Sequence, residues 1–369
     1  MPYTPTPEIL KDPPRTNTPG AEKYDGGRIA EILSDLGLWC VLVDTIPAAR
    51  FTTYHFDLDD PMDITRLTGP VQALESILHL HVSVIVPSPI ASFALRIPRT
   101  SPMMVYLKPL LRSCRFIEDQ RKMRLCAMLG TDASCAALTI DIAKMPHILV
   151  AGSTGSGKSV CVNSIIASLL FTYFPNQLQL VLIDPKKVEF AIYDGLPHLA
   201  VPVRKDARSA IETLKGLCTF MDQRYKLMAQ KHVRNAADCG FAPVVVVIDE
   251  LADLMLTSRS EAETSIVRLA QLGRAAGVHL IVATQRPTAN IITGLIKSNI
   301  PCRIALQTAS FHDSMTILDH KGAEQLTGRG DALLKLPDRV EEIRFQSAYT
   351  SEDDIERIVR YWQGQMGVK

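Results

Sequence analysis

His147-Ile148-Leu149-Val150-Ala151-Gly152-Ser153-Thr154-Gly155-Ser156-Gly157-Lys158-Ser159 decides how this chain is read. A strand over 147–151 runs directly into Gly-x-x-x-x-Gly-Lys-Ser. Glycines let the backbone curl so that successive N–H groups turn inward around a phosphate. The apolar helix expected over 157–174 aims its positive end at the same point. Gly152, Ser153, Thr154, Gly155, Ser156, Gly157, Lys158, Ser159 and Val160 are therefore the candidate nucleotide-binding residues. Lys158 would reach the β- and γ-phosphates of ATP, and Ser159 would hold Mg²⁺.

A second motif lies downstream, Val244-Val245-Val246-Val247-Ile248-Asp249-Glu250. Its run of five β-branched residues reads as a strand buried on both faces, as in a parallel sheet. It ends in two carboxylates, where open α/β sheets bind ligands. Asp249 is assigned to Mg²⁺, through water, and Glu250 to polarising the attacking water. A Glu directly after the Mg²⁺ Asp suits hydrolysis of ATP better than transfer of phosphate to a small molecule.

Other positions gather around these two. The strand ending in Ala283-Thr284-Gln285-Arg286-Pro287 offers Gln285 as a sensor of the γ-phosphate, with Arg286 at the mouth of the site or on a loop facing a partner. Asp184, in Asp184-Pro185-Lys186-Lys187, is either a turn former or a support for the Mg²⁺ site. Arg268 to Gly277 reads as a helix end with a glycine stop. Arg274 there is either a surface residue that complements the helix dipole or a finger reaching a neighbouring subunit's γ-phosphate.

The 369 residues and 47% hydrophobic content suffice for one large core or two domains. A formal net charge of +1 excludes a strong overall basic field, so nucleic-acid binding must come from local Lys and Arg or from an oligomer. No apolar run is long enough to span a membrane, and the N-terminus lacks the apolar core of a secretion signal. The eight cysteines have no metal-like spacing and read as reduced, mostly buried thiols of a cytoplasmic protein.

Residues 1–22 are proline-rich and read as a linker or arm. Residues 23–112 read as a small α+β domain, with helices near 26–36 and 69–79 and strands near 38–46, 50–58, 80–86 and 92–97. Residues 113–369 form the α/β part. After a charged, irregular stretch, a strand pair near 126–129 and 137–142 leads in. Strands near 147–151, 179–184, 244–249, 279–284 and 302–308 then alternate with helices near 157–174, 207–231, 261–275, 291–299 and 351–366. Such alternation implies a mostly parallel sheet with helices on both faces. Ser351 and Asp354 form the capping box that opens the last helix.

Together these residues resemble the motor of the FtsK/SpoIIIE family of DNA translocases. The resemblance rests on Ala143-Lys144-Met145-Pro146-His147, Ile183-Asp184-Pro185-Lys186, Arg224-Tyr225-Lys226-Leu227-Met228, Asp249-Glu250-Leu251-Ala252-Asp253-Leu254-Met255, Ala283-Thr284-Gln285-Arg286-Pro287, Ile292-Thr293-Gly294-Leu295-Ile296-Lys297 and Gly328-x-Gly330-Asp331. Residues 26–110 also resemble the small domain that precedes the ATPase core in these motors. The resemblance implies a RecA-like P-loop ATPase core that assembles as a ring, a hexamer in expectation, with double-stranded DNA in its pore. ATP would then lie between subunits. Arg274 becomes the leading trans arginine finger and Arg303 the second. Arg286 and Lys297 match basic DNA-contacting positions.

Three departures accompany the resemblance. The membrane-anchoring segments are missing, so a soluble motor is expected. The winged-helix module that reads orientation sequences is missing too, and with it that kind of directional reading. In Ser310-Phe311-His312-Asp313-Ser314-Met315, Phe311 and Met315 stand where the family has a Lys and an Arg in a pore loop, which weakens a phosphate contact or replaces it with an apolar one. Two alternatives carry different substrates or none: a related ATPase that moves protein in a secretion system, and a non-motor ATP-binding subunit.

Overall fold

The computed structural model describes residues 3–14, 24–86, 88 and 90–365. Residues 15–22 of the proline-rich arm lie outside them. The chain divides into two compact units.

The smaller unit comprises Pro13–Val105 and Asp132–Ala136. It holds α1 (Gly26–Asp35), β1 (Cys40–Pro47), β2 (Phe51–Leu58), α2 (Thr68–Leu78), β3 (Ser83–Ile85) and β4 (Phe93–Pro98). The strands form one antiparallel sheet in the order β1-β2-β4-β3. Ile29 and Leu33 on α1 and Leu74 on α2 recur at helical spacing and bury against Phe56, Phe93 and Leu95 of the sheet. Asp25 starts α1 by accepting the Arg28 amide at 2.7 Å.

The larger unit comprises Met1–Asp12, Tyr106–Thr131 and Ala137–Lys369. The expected domain boundary at 112 therefore falls at 105/106, and the described start of the arm belongs to this unit. Leu10 is buried in it, Lys108 Nζ donates to the Leu10 carbonyl at 2.8 Å, and the Lys11 amide donates to Asp354 at 2.9 Å. The stretch expected to be irregular is helical: α3 (Leu107–Leu111) and α4 (Cys114–Lys122), the latter capped by Ser113.

The unit continues with β5 (Cys126–Asp132), β6 (Ala137–Asp141), β7 (His147–Ala151), α5 (Lys158–Thr172), β8 (Gln179–Ile183), α6 (Ala207–Gln230) and β9 (Val244–Ile248). Next come α7 (Leu251–Ala276), β10 (Val278–Thr284), α8 (Gly294–Asn299), β11 (Cys302–Leu306), α9 (Phe311–Leu318), β12 (Asp331–Lys335), β13 (Ile343–Ser347) and α10 (Glu352–Gln365). One nine-stranded sheet runs β6-β5-β13-β12-β11-β7-β10-β9-β8. β11, β7, β10, β9 and β8 are mutually parallel; β12 and β13 continue the sheet antiparallel.

The five parallel strands are the five expected from apolar runs, and every residue of β7, β9, β10 and β11 is buried. α5 buries Cys161, Val162, Ile165, Ile166, Leu169 and Leu170, a helix apolar on nearly all sides at the centre of the fold. α7 begins ten residues before the expected 261. Its backbone breaks at Ser258 (φ −154°, ψ 83°), whose hydroxyl donates to Glu261, so the expected helix is its second segment. β12, β13 and α9 were not anticipated. At the C-terminus, Ser351 Oγ accepts the Asp354 amide and opens α10 as expected. Among the described residues, no helix is long and apolar enough to cross a membrane. All eight cysteines are free thiols and five are buried.

Candidate nucleotide site

The parallel register brings the carboxyl ends of β7, β9 and β10 side by side, because Ala151 pairs with Thr284 and Val282 with Ile248. The glycine-rich loop leaves β7 and enters α5 at Gly157, which sits at φ +100°. A Cβ there would lie 2.5 Å from the Gly330 amide nitrogen, so both backbone angle and space require glycine. No side chain caps α5. The amides of Thr154, Gly155, Gly157 and Lys158 donate to no described residue. Unpaired amides at a helix N-terminus that ends in a glycine-rich loop form an anion cradle.

The loop is held from three sides. The Gly152 amide donates to the Thr284 carbonyl at 3.3 Å, and the Ser153 amide and hydroxyl both donate to the Gln307 carbonyl. The Gly330 amide donates to the Ser156 carbonyl at 2.7 Å. Gly328, Arg329 and Gly330 take three successive left-handed conformations, with φ of +73°, +49° and +92°. Beneath them Asp331 is buried, gripped by Arg344 through two bonds of 3.0 and 2.7 Å and by the Thr327 amide. The Gly328-x-Gly330-Asp331 turn, one of the stretches that carry the family resemblance, is thus the floor of the loop. The cluster of glycines before Asp331 was the available signal; its docking partner Ser156, 174 residues earlier in the chain, was not.

Lys158, Asp249 and Glu250 are all almost fully buried. Lys158 Nζ donates to the Asp249 carbonyl and to its Oδ1, both at 2.7 Å. Glu250 Oε1 accepts the Thr284 hydroxyl at 2.6 Å and the Ala252 amide at 3.2 Å. Glu250 Oε2 accepts the Gln285 amide at 3.0 Å and lies 3.5 Å from Lys186 Nζ. Gln285 faces the loop, since Thr154 Oγ1 donates to its Oε1 at 3.0 Å. Ser159 and Val160 follow in the first turn of α5, both partly buried. A carboxylate and a hydroxyl are hard oxygen donors that suit Mg²⁺ completed by phosphate oxygens and water. Among the described residues no cluster of three or more His, Cys, Asp or Glu forms a self-sufficient metal cage. The donor set therefore fits MgATP, and Asp249 and Ser159 are the residues that would hold the cation, Asp249 through water.

Asp184 forms the loop, since its Oδ2 accepts the amides of Glu189 and Phe190, both at 2.9 Å; its buried Oδ1 has no partner among the described residues. Arg274 is exposed in the last turn of α7, and Gly277 at φ +69° ends that helix. Arg303 is buried instead. Its guanidinium donates to the carbonyls of Ile317 and Lys297 at 3.1 Å each and to Asp319 at 2.6 Å, so of the two finger candidates Arg274 is the exposed one. Lys297 also pairs with Asp319, at 2.7 Å, and donates to the Met315 carbonyl, so it enters the same network rather than standing free. Burial would raise the Asp319 carboxyl, but hydrogen bonds from Lys297, Arg303 and Lys335 outweigh it and hold the group well below the usual carboxylate range. Arg286 is exposed, as are Phe311 and Met315, one turn apart on α9. Lys321 Nζ lies 4.9 Å over the Phe311 ring.

The FtsK/SpoIIIE family model matches residues 107–243 and 237–289. A protein of Caldanaerobacter subterraneus subsp. tengcongensis described as DNA translocase FtsK is 38% identical over 374 residues, 97% of this chain and 52% of that protein.

The chain belongs to the FtsK/SpoIIIE family.

The DNA translocase SpoIIIE of Bacillus subtilis is 37% identical over 377 residues, 96% of this chain and 48% of that protein. This family member spans about half the length of the FtsK and SpoIIIE relatives it matches. Among solved structures, the pCW3 conjugation coupling protein TcpA, in its monomer form with ATPgS, superposes with a TM-score of 0.63 at 25% identity, covering 91% of this chain and 98% of that one. The cytoplasmic domain of the Thermomonospora curvata Type VII secretion ATPase EccC gives 0.62 at 26% identity, covering 71% of this chain and 34% of that one. The FtsK/SpoIIIE chain thus carries an α/β, RecA-like P-loop ATPase core with a mostly parallel central sheet.

Proposed function

We propose that this chain hydrolyses ATP with Mg²⁺ and uses the energy to move double-stranded DNA through a ring of its own copies, a hexamer. The observation that carries the reading is the convergence of the uncapped α5 N-terminus, Lys158, Asp249 and Glu250 at one sheet edge. Relatives described as DNA translocases, alike over nearly the whole chain, support the substrate.

Bound MgATP supplies the phosphoanhydride to be cleaved and the cation that offsets phosphate charge. The loop amides orient the phosphates. Lys158 exchanges its contact with Asp249 for phosphate oxygens, and Asp249 with Ser159 positions the cation. Glu250 polarises the attacking water, and Gln285 reports the γ-phosphate. Arg274 reaches the site of the neighbouring subunit, where added positive charge favours transfer. Arg286 touches the DNA backbone. Lys297 does so only by leaving Asp319, and Phe311 and Met315 offer apolar contact.

One observation favours a second reading, transport of a protein chain: α9 presents Phe311 and Met315 rather than basic side chains. ATP turnover without polymer, with single-stranded DNA and with long duplex separates the two, with Lys158→Ala as the blank. Stimulation by duplex alone is expected. Turnover indifferent to DNA removes the DNA reading.

A further inference from the structure

Glu250 cannot act as drawn without first losing a partner. A carboxylate offers about four lone-pair positions. Oε1 takes the Thr284 hydroxyl and the Ala252 amide; Oε2 takes the Gln285 amide and faces Lys186 Nζ at 3.5 Å. Three of those positions hold hydrogen bonds and the fourth faces the Lys186 ammonium, so a water that approaches this buried carboxylate has to displace a partner to donate to it.

The donors differ in how they are anchored. Ala252 belongs to the first turn of α7 and moves only with the helix. Thr284 is the last residue of β10 and Gln285 the first beyond it, where the chain leaves the sheet toward exposed Arg286. Thr284 is fully buried, and its hydroxyl joins two roles. It donates to Glu250 at 2.6 Å and accepts the Arg286 amide at 3.1 Å. An unbroken chain of hydrogen bonds therefore runs from the backbone of exposed Arg286 to the carboxylate that must polarise water. Each bond fixes the geometry of the next.

We propose that Thr284 is a positioning residue that holds Glu250 in an idle arrangement, and that a shift of the Arg286 backbone when its side chain engages duplex DNA loosens that hold and frees the carboxylate. The second half of this proposal rests on the DNA-translocase reading; the first half does not. Hydrolysis is then coupled to polymer through two residues of one strand end. Thr284 itself touches no phosphate and donates no proton to the reaction.

The test compares the whole chain with Thr284→Val, Thr284→Ser and Glu250→Gln by steady-state ATP turnover at saturating MgATP, with and without a long linear duplex. Valine keeps the shape and removes the hydroxyl; serine keeps the hydroxyl. Thr284→Val is expected to raise DNA-free turnover about threefold or more while the duplex-saturated rate stays within about twofold, so the stimulation ratio falls. Thr284→Ser should restore the parent ratio. Combined with Glu250→Gln, Thr284→Val should have no effect on the residual rate. A merely structural Thr284 would lower both rates together and leave their ratio alone; that result, or two rates equal to the parent's, overturns the proposal. Should Thr284→Val show no cooperative thermal unfolding, Thr284→Ala removes the same hydroxyl without a second methyl and carries the same expectation. If duplex fails to stimulate the parent chain, the DNA reading falls, and the DNA-free comparison still decides whether Thr284 restrains Glu250.

Discussion

Two arginines with similar sequence credentials have opposite surroundings. Arg303 is enclosed by carbonyl oxygens and Asp319, so Arg303→Ala strands several acceptors and should cost about 3 kcal/mol, read as a lower urea midpoint. Arg274 is exposed. Arg274→Ala should leave stability within about 0.5 kcal/mol of the parent and lower turnover about a thousandfold or more. If the two variants exchange these behaviours, the finger has been assigned to the wrong residue. Gly157 makes a third case, because its angle and its 2.5 Å approach to Gly330 leave no room for a Cβ. Gly157→Ala should add at least about 1–2 kcal/mol of backbone strain and abolish ATP binding, checked by calorimetric titration. Residue types and their spacing sufficed to single out Lys158, Asp249 and Glu250. Their hydrogen-bond partners were out of reach, because Thr284 meets Glu250 across 34 residues of chain and only the parallel register joins them.

Elements were legible where one residue class fills them. β9 is five β-branched residues and could hardly be anything but an interior strand. β12 and β13 mix Leu with Lys, Arg and Gln, and their place depends on pairing beside β11 rather than on local pattern. α9 has eight residues, too few for a clear period, although Ser310 and Asp313 form the cap that starts it. The β12–β13 hairpin carries the floor of the nucleotide loop, so Arg344→Ala should destabilise the chain by about 3 kcal/mol by leaving Asp331 buried without its main partner. Its ATP affinity should fall as well. Arg344→Lys should recover only part of both, since a lysine cannot reproduce a two-pronged grip. On α9, Phe311→Lys with Met315→Arg should steepen the log–log salt dependence of duplex binding by about 0.9 for each phosphate that the new cations neutralise. An unchanged slope would show that this helix does not face the phosphate backbone.

At the scale of the whole molecule, three of the four buried histidines among the described residues weigh most on stability in acid. Burial, aided by neighbouring His279, pushes His147 down to about 3; burial also lowers His198 and His279 to about 4 each, against an ordinary 6.5. The folded state keeps them neutral while the unfolded chain protonates them below pH 6.5. Their stabilisation is therefore complete above that value and is lost progressively as pH falls toward 4. Urea midpoints measured at pH 8, 6.5, 5.5 and 4.5 should be flat across the first step and decline across the rest. The layering of the larger unit was legible because strands and helices alternate regularly from 147 onward. The boundary between units was not, because the described start of the proline-rich arm returns to the larger unit through Leu10 and Lys11, a choice made by packing against residues more than 90 positions away. The central claim is that ATP hydrolysis drives the chain along duplex DNA. It is tested most directly by asking whether the chain strips a third strand, bound as a triplex, from the far end of a long linear duplex. Displacement is predicted with MgATP, and none with Lys158→Ala or without hydrolysable nucleotide. Brisk ATP turnover with the triplex left intact on every duplex would contradict the account.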